Sequence, residues 1–530
     1  MVPDERAFLQ KLSHSAPEVL LQAALGADEQ EERVLRIYLG NAQYEEILRI
    51  ASTARAVRGP ADKLGNVVVL HGIMGGELTR FDSGDSQSLI WVQMLRLLQG
   101  QFDQLALNSE GLSVHDVRPS GIYLRFYGSQ VARLSQDWNV RPYFYDWRQD
   151  IRLAADSLFQ NINSWFGPEA PVHVIGHSMG GLVARSYIQR HAERWNKADN
   201  AGKRARLVML GTPNYGSLAI TRMLLGTNDV LNLVAKMDLS HSRRDLLNIA
   251  KTFVGAYQML PVRGKLDGLD VIYKAATYDV VPIDQSLLDQ AEAFQAEIKS
   301  VVDPERMTYV AGYNRPTLAA IQDPTQLGND RGYFFSRKGD GTVPHDLGLL
   351  PNVKTFYVDD EHQNLPANTK VQSAMTELLQ TGDQQTEQYL YKALGPEFAT
   401  ERGAAGENQP ALLATESARK AAKEQQVAKL RTLLSTRGAF DSDRVSAEEY
   451  QLADALLRYD ALTPSTGTTA SGSGPMAAAD AASASAATGA SPVATQDGTR
   501  GSSANLSQEE ALPTPQFVFM FSSEKSKRSR

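Results

Sequence analysis

Gly176-His177-Ser178-Met179-Gly180, with Gly181 next, is the stretch whose residue types and spacing could do chemistry. A G-x-S-x-G segment sets a serine on a sharp turn between a strand and a helix, and its glycines leave room where those elements pass closely. The flanks fit: strand-like Val172-His173-Val174-Ile175 precedes the segment, and helix-like sequence starts near Met179. Ser178 is therefore the expected nucleophile. A serine hydroxyl is weak without a base, and in the fold that uses this turn the chain order is nucleophile, acid, histidine. Downstream stand His191, His241, His345 and His362. His191 falls in the helix after the turn and His241 in a long insertion. His362, in a loop just past the strand-like run Lys354–Val358, is the expected base, with His345 the runner-up.

The acid must orient the histidine through its other ring nitrogen. Asp340, in Gly339-Asp340-Gly341-Thr342-Val343-Pro344, has small neighbours that let a carboxylate reach inward. Asp346, Asp359 and Asp360 compete, but the last two are close enough to His362 to cap its loop instead. An ester's tetrahedral intermediate also needs amide donors for its oxyanion. The residue after the nucleophile, Met179, supplies one. The other comes from His71-Gly72-Ile73-Met74-Gly75-Gly76, which follows an early strand; Ile73 is the expected donor and Met74 the alternative. His71 fits a loop-fixing role better than a catalytic one.

Elements must hold these residues in place. Short apolar runs rich in β-branched or aromatic residues recur at Val67–Leu70, Pro142–Tyr145, Val172–Ile175, Leu207–Leu210, Met307–Val310 and Lys354–Val358. Strands buried on both faces of a parallel sheet read this way. Between two of them Ile151, Ala155, Leu158, Ile162 and Trp165 form one helical stripe. Strands alternating with helices predict a mostly parallel, doubly wound α/β sheet of the α/β-hydrolase kind over residues 64–384. Residues 214–305 break the alternation and are expected to form a helical cap. Its apolar residues, such as Met223-Leu224-Leu225 and Leu231, Leu233 and Val234, either contact acyl chains or pack the cap.

Residues 1–58 predict a helical N-terminal extension and 385–460 a helical C-terminal one. Residues 461–530 form a low-complexity tail, Ala/Ser/Thr/Gly-rich over 463–507, which cannot bury enough surface to order. Its end, Phe517–Phe521 followed by Lys525, Lys527, Arg528 and Arg530, could touch a membrane surface or a protein partner transiently. The net charge of −7 argues against nucleic-acid binding. The absence of cysteine excludes disulfides and thiolate metal sites. No metal-ligand cluster or phosphate loop stands out, so no cofactor or metal is expected. No signal peptide is read at Met1–Arg6 and no apolar run reaches the roughly 20 residues a membrane span needs. A cytoplasmic location is the expectation, with leaderless export open.

Taken together with Tyr145-Asp146-Trp147-Arg148, Gly211-Thr212-Pro213-Asn214-Tyr215-Gly216-Ser217 and Ala256-Tyr257-Gln258-Met259-Leu260-Pro261, these motifs fall in an order that resembles the lecithin:cholesterol acyltransferase-like lipase family across roughly residues 64–370. The resemblance implies an α/β-hydrolase with a cap that acts on lipid esters through an acyl-enzyme. It supports Ser178, Asp340 and His362 in their roles. Asp146 and Arg148 match too and read as structural. Hydrolysis of a lipase or phospholipase type is the first expectation. Acyl transfer to an alcohol and a non-catalytic lipid- or protein-binding scaffold are the alternatives. The family's animal members are secreted and disulfide-bonded, so a chain without cysteine departs from them.

Overall fold

The computed structural model describes residues 17–57, 63–81, 87–91, 100–197, 204–227, 240–384, 389–395 and 411–418, with a few isolated positions. Its strands are β1 (Asn66–Leu70), β2 (Gly76–Phe81), β3 (Gln87–Trp91), β4 (Val117–Ile122), β5 (Asn139–Tyr143), β6 (Val172–His177), β7 (Leu207–Leu210), β8 (Met307–Gly312), β9 (Thr317–Ile321), β10 (Tyr333–Ser336) and β11 (Lys354–Val358). Six of them form one sheet in the order β11-β8-β7-β6-β1-β5. Every neighbouring pair in it is parallel.

The central strands are apolar on both faces because both faces are covered. Val67 through Leu70 and Leu207 through Leu210 have no solvent exposure. Helix Ile151–Phe166 packs on helix Met179–Arg190, which packs on helix Gln285–Ile298. A separate group joins helix Leu124–Asp137 to helix Thr369–Thr381 and to the N-terminal helices Pro17–Gly26, Glu29–Leu39 and Asn41–Val57. The second of these starts in a capping box, Asp28 accepting from the Glu31 amide at 2.8 Å while Glu31 returns the bond. The extension is tied to the core as well as packed on it. Arg125 donates to the carbonyls of Ile37 and Tyr38 at 3.0 and 3.2 Å, and Tyr38 hydrogen-bonds buried Glu77.

The mostly parallel α/β architecture agrees with the pattern of apolar runs, with two differences. The strand expected at Pro142–Tyr145 lies earlier, as β5, paired to β1 from Asn66↔Asn139 to Leu70↔Tyr143. Tyr145–Arg148 instead turns away to hold loops. Two small antiparallel sheets, β3-β2-β4 and β10-β9, have no counterpart among the apolar runs. Strand β2, Gly-Glu-Leu-Thr-Arg-Phe, buries Glu77 and Thr79 through hydrogen bonds and so lacks an apolar signature.

Within 214–305 the described helices are Leu218–Leu224, Arg243–Ala250, Val254–Tyr257 and Gln285–Ile298, and Met223, Leu224 and Leu225 are buried. Leu231, Leu233 and Val234 lie outside the described residues, as do most of 385–460 and all of 461–530, including Phe517–Phe521 and the basic end. Residues 411–418 are helical. Among the described residues no helix is long and apolar enough to cross a membrane.

Candidate active site

Ser178 stands between β6 and helix Met179–Arg190 with φ 54° and ψ −124°. That region is sparsely populated for any residue with a Cβ and costs about 1–3 kcal/mol. The surroundings over-determine it. The Ser178 amide is tied to the Leu210 carbonyl at 2.9 Å and the Gly181 amide to the Ser178 carbonyl at 3.0 Å. A Cβ on Gly180 would sit 2.6 Å from the His71 carbonyl oxygen, so only glycine lets the helix start this close to the end of β1. The turn presents the Ser178 hydroxyl at the carboxyl end of the sheet.

His362 follows β11 and brings Nε2 to 2.9 Å from Ser178 Oγ, while its Nδ1 lies 2.7 Å from Asp340 Oδ2. Asp340 comes from the loop after β10 and is almost wholly buried. Its other oxygen accepts from the amides of Thr342 and Val343 at 3.0 and 2.8 Å, and its carbonyl accepts from the His362 amide at 2.9 Å. The carboxylate is thus fixed in rotation, and its acceptor at Oδ2 sets the proton of His362 on Nδ1. Nε2 is left as an acceptor facing the serine hydroxyl. A base oriented this way can take the hydroxyl proton as Ser178 attacks a carbonyl carbon.

The other aspartates and histidines are spoken for elsewhere. Asp359 pairs with Arg315 at 2.6 Å, and Asp360 accepts from the Glu361 amide and from Asn368 Nδ2 at 2.8 and 2.7 Å. Asp346 lies in the short helix His345–Gly348, whose His345 places Nε2 2.9 Å from the Gly312 carbonyl. His191 stacks on Phe159 and contacts Asp156, and His241 precedes helix Arg243–Ala250. Asp146 forms a two-pronged ion pair with fully buried Arg148, which also donates to the carbonyls of Leu105 and Val117.

The turn after β1 lies directly against the serine. A Cβ on Gly72 would come within 2.8 Å of Ser178 Cβ, so the backbone of Gly72 runs past Ser178 at contact distance. Met74 takes a positive φ of 62°, the Gly75 amide closes the turn on the Gly72 carbonyl at 3.0 Å, and Trp91 Nε1 donates to the Met74 carbonyl at 2.8 Å. Met179 is the first residue of its helix, where backbone amides have no intrahelical acceptor. His71 stacks on Tyr145, bonds the Gly72 carbonyl at 2.7 Å and takes the Tyr145 amide at 3.2 Å. Burial drives its pKa down to about 4, so it is a neutral brace for the turn.

Three contributors carried no sequence signal. Tyr127, on helix Leu124–Asp137, and His177, the variable residue of the serine motif, are hydrogen-bonded to each other at 2.7 Å beside the site. Glu416, buried on the helix 411–418, lines the site's cavity from a segment remote in sequence. That cavity has a volume of about 290 Å³ and opens over Ser178 and His362. Its walls are chiefly apolar: Ile73, Trp91, Phe126, Met223, Leu318 and Phe335. Arg222 at its edge is paired with Asp330 at 2.6 Å. Among the described residues no group of carboxylates and histidines is arranged to hold a metal.

No curated protein matches the chain. Among solved structures the chain is similar to that of the Tle4–Tli4 complex, at 15% identity over 59% of this chain and 97% of that one, with a TM-score of 0.36. The mature Bacillus licheniformis lipase BlEst2 is similar at 14% identity over 61% of this chain and 95% of that one, with a TM-score of 0.30. Likenesses this slight fix neither substrate nor partner. The family model of lecithin:cholesterol acyltransferase matches residues 133–392, a span that holds Ser178, Asp340 and His362. That span, 260 of the chain's 530 residues, carries the likeness to the lecithin:cholesterol acyltransferase family.

Proposed function

We propose that this protein is a serine hydrolase that cleaves lipid carboxylic esters, in the manner of a lipase or phospholipase, through an acyl-enzyme. The observation that carries the reading is the unbroken hydrogen-bond line from Asp340 through His362 to Ser178 beneath an apolar cavity. In the first half-reaction Ser178 Oγ attacks the ester carbonyl as its proton passes to His362 Nε2. The carbonyl oxygen becomes an oxyanion held by the backbone N–H groups of Ile73 and Met179. Collapse of the intermediate breaks the C–O bond, and the leaving alcohol takes the proton from His362. Water then attacks the acyl-enzyme by the same route and releases the acid. Asp340 keeps His362 in the productive tautomer and offsets the charge of its protonated form. Loss of one oxyanion donor typically lowers the rate on the order of 10²–10³.

The family match supports lipid acyl chemistry in general, by hydrolysis or by transfer. The apolar walls support the acyl side of the ester as the part that enters the cavity. The test is turnover of short- and long-acyl p-nitrophenyl esters and labelling by a fluorophosphonate, with Ser178→Ala beside the parent chain. Turnover and labelling that vanish in Ser178→Ala support the proposal. Turnover that survives the substitution overturns Ser178, and a parent chain that neither turns over nor labels supports a non-catalytic scaffold. Product analysis with a labelled phospholipid and an added alcohol separates the outcomes further: free fatty acid supports hydrolysis, and a new ester supports acyl transfer.

A further inference from the structure

Behind the serine runs a second line of hydrogen bonds, distinct from the Asp340–His362 line. The Gly72 amide donates to Tyr127 Oη at 2.9 Å. Tyr127 Oη lies 2.7 Å from His177 Nδ1. His177 Nε2 lies 2.9 Å from the carbonyl oxygen of His362. Only one proton arrangement satisfies all three contacts. A carbonyl can only accept, so His177 carries its proton on Nε2 and donates it to His362. Nδ1 is then an acceptor, so the tyrosine hydroxyl donates to it and accepts from Gly72.

The ends of this line matter. Gly72 precedes Ile73, whose amide faces the developing oxyanion, and His362 is the base. They come from loops after β1 and β11, which lie apart in the sheet with β6, β7 and β8 between them. Their separation is not set by any strand pairing. We infer that Tyr127 and His177 form a clasp that sets the spacing between the oxyanion turn and the base, as positioning residues for the proposed esterase. The inference rests on that function.

Packing supports the assignment. Tyr127 and His177 are buried, the former almost completely. A Cβ on Gly75 would fall 2.7 Å from Tyr127 Oη, so the turn's glycine makes the room the phenol needs. The rings of His177 and His362 lie 5.0 Å apart. Burial, then the neighbouring His362, holds the pKa of His177 well below that of a free imidazole. A neutral ring there lets His362 become an imidazolium in each half-reaction without a second cation beside it. Tyr127 also lies outside the span matched by the family model, on the helix that receives the N-terminal extension.

The clasp predicts a graded set of variants assayed on a soluble short-acyl ester. Tyr127→Phe keeps the ring and removes the hydroxyl; kcat is expected to fall about 10- to 100-fold with KM nearly unchanged, the scale of a misplaced reacting group. His177→Leu loses both contacts and falls at least as far. His177→Gln, which can donate through its amide nitrogen and accept through its oxygen, recovers at least tenfold over His177→Leu. The double variant Tyr127→Phe/His177→Leu is no slower than His177→Leu alone, because both changes break one line. Rates are taken per folded molecule, with circular dichroism and the melting temperature of each variant as the check.

Wild-type kcat in Tyr127→Phe, or equal losses in His177→Gln and His177→Leu, overturns the clasp. Losses that multiply in the double variant overturn it as well. An unlabelled, inactive parent chain would instead refute the esterase itself, so the two failures are told apart.

Discussion

Replacing Asp340 by asparagine tests the tautomer logic of the site at nearly constant volume. One oxygen of Asp340 is held by the amides of Thr342 and Val343, at 3.0 and 2.8 Å, and the other faces His362 Nδ1 at 2.7 Å. In Asp340→Asn the amide oxygen must take the first position, because two backbone N–H donors point there. The new NH2 then faces Nδ1, which has to become an acceptor, and the imidazole proton moves to Nε2. A protonated Nε2 cannot take the hydroxyl proton of Ser178. Productive molecules need the amide flipped, which abandons these two donors, one buried and one half-buried, at about 1–3 kcal/mol each. The penalty of about 2–6 kcal/mol corresponds to a loss in kcat between about 30-fold and 10⁴-fold, at about 1.4 kcal/mol per decade. Steady-state hydrolysis of a p-nitrophenyl ester reads the loss, and the denaturation midpoint checks that the fold persists. An Asp340→Asn variant that folds and keeps more than about a tenth of wild-type kcat would refute the reasoning.

Three further outcomes follow from other parts of the molecule. Asp146→Ala leaves the fully buried guanidinium of Arg148 without its carboxylate; urea unfolding should show a loss of about 3–5 kcal/mol, while fluorophosphonate labelling of the folded fraction stays complete. His71 is neutral when folded, with its pKa lowered to about 4, and becomes protonated near 6.5 when unfolded. The unfolded chain therefore binds the extra proton. Its stabilising share is whole above pH 6.5 and falls as pH drops toward 4, by on the order of 3 kcal/mol in all; urea midpoints that do not change between pH 7 and 5 would contradict this. Met223 lines the cavity and is buried, so Met223→Trp should overfill it by about 1–3 kcal/mol and lower kcat/KM for long-acyl esters about 5- to 150-fold relative to short ones.

The sheet was legible because parallel strands buried on both faces must be continuous apolar runs. Val67–Leu70 and Leu207–Leu210 are such runs, and both are fully buried. The antiparallel β2 was not legible, since Glu77 and Thr79 enter the interior by pairing with Tyr38 and Ser120 rather than by being apolar. Strand β5 starts three residues before the run Pro142–Tyr145, whose two tyrosines are buried for different reasons. Tyr143 closes the strand, whereas Tyr145 leaves it to stack on His71. Apolar character marks burial but not the element that is buried.

The same distinction governs the site. Ser178, Asp340 and His362 could be singled out because a nucleophile, an acid and a base need particular side chains in a particular order, and the structure brings His362 to 2.7 Å from Asp340 and 2.9 Å from Ser178. What sets their distances is less visible. Oxyanion donors are backbone amides, and any residue has one. Tyr127 and His177 are each held by two hydrogen bonds of a kind many residues make in other settings, and Glu416 reaches the cavity from a helix with no motif at all. Chemistry that depends on side-chain identity is written locally. Chemistry that depends on where a loop is held is distributed over partners far apart in the chain, as Gly72, Tyr127, His177 and His362 are here. The spacing between His362 and the turn after β1 therefore belongs to the fold, and conservative changes at Tyr127 and His177 should alter rate more than they alter stability.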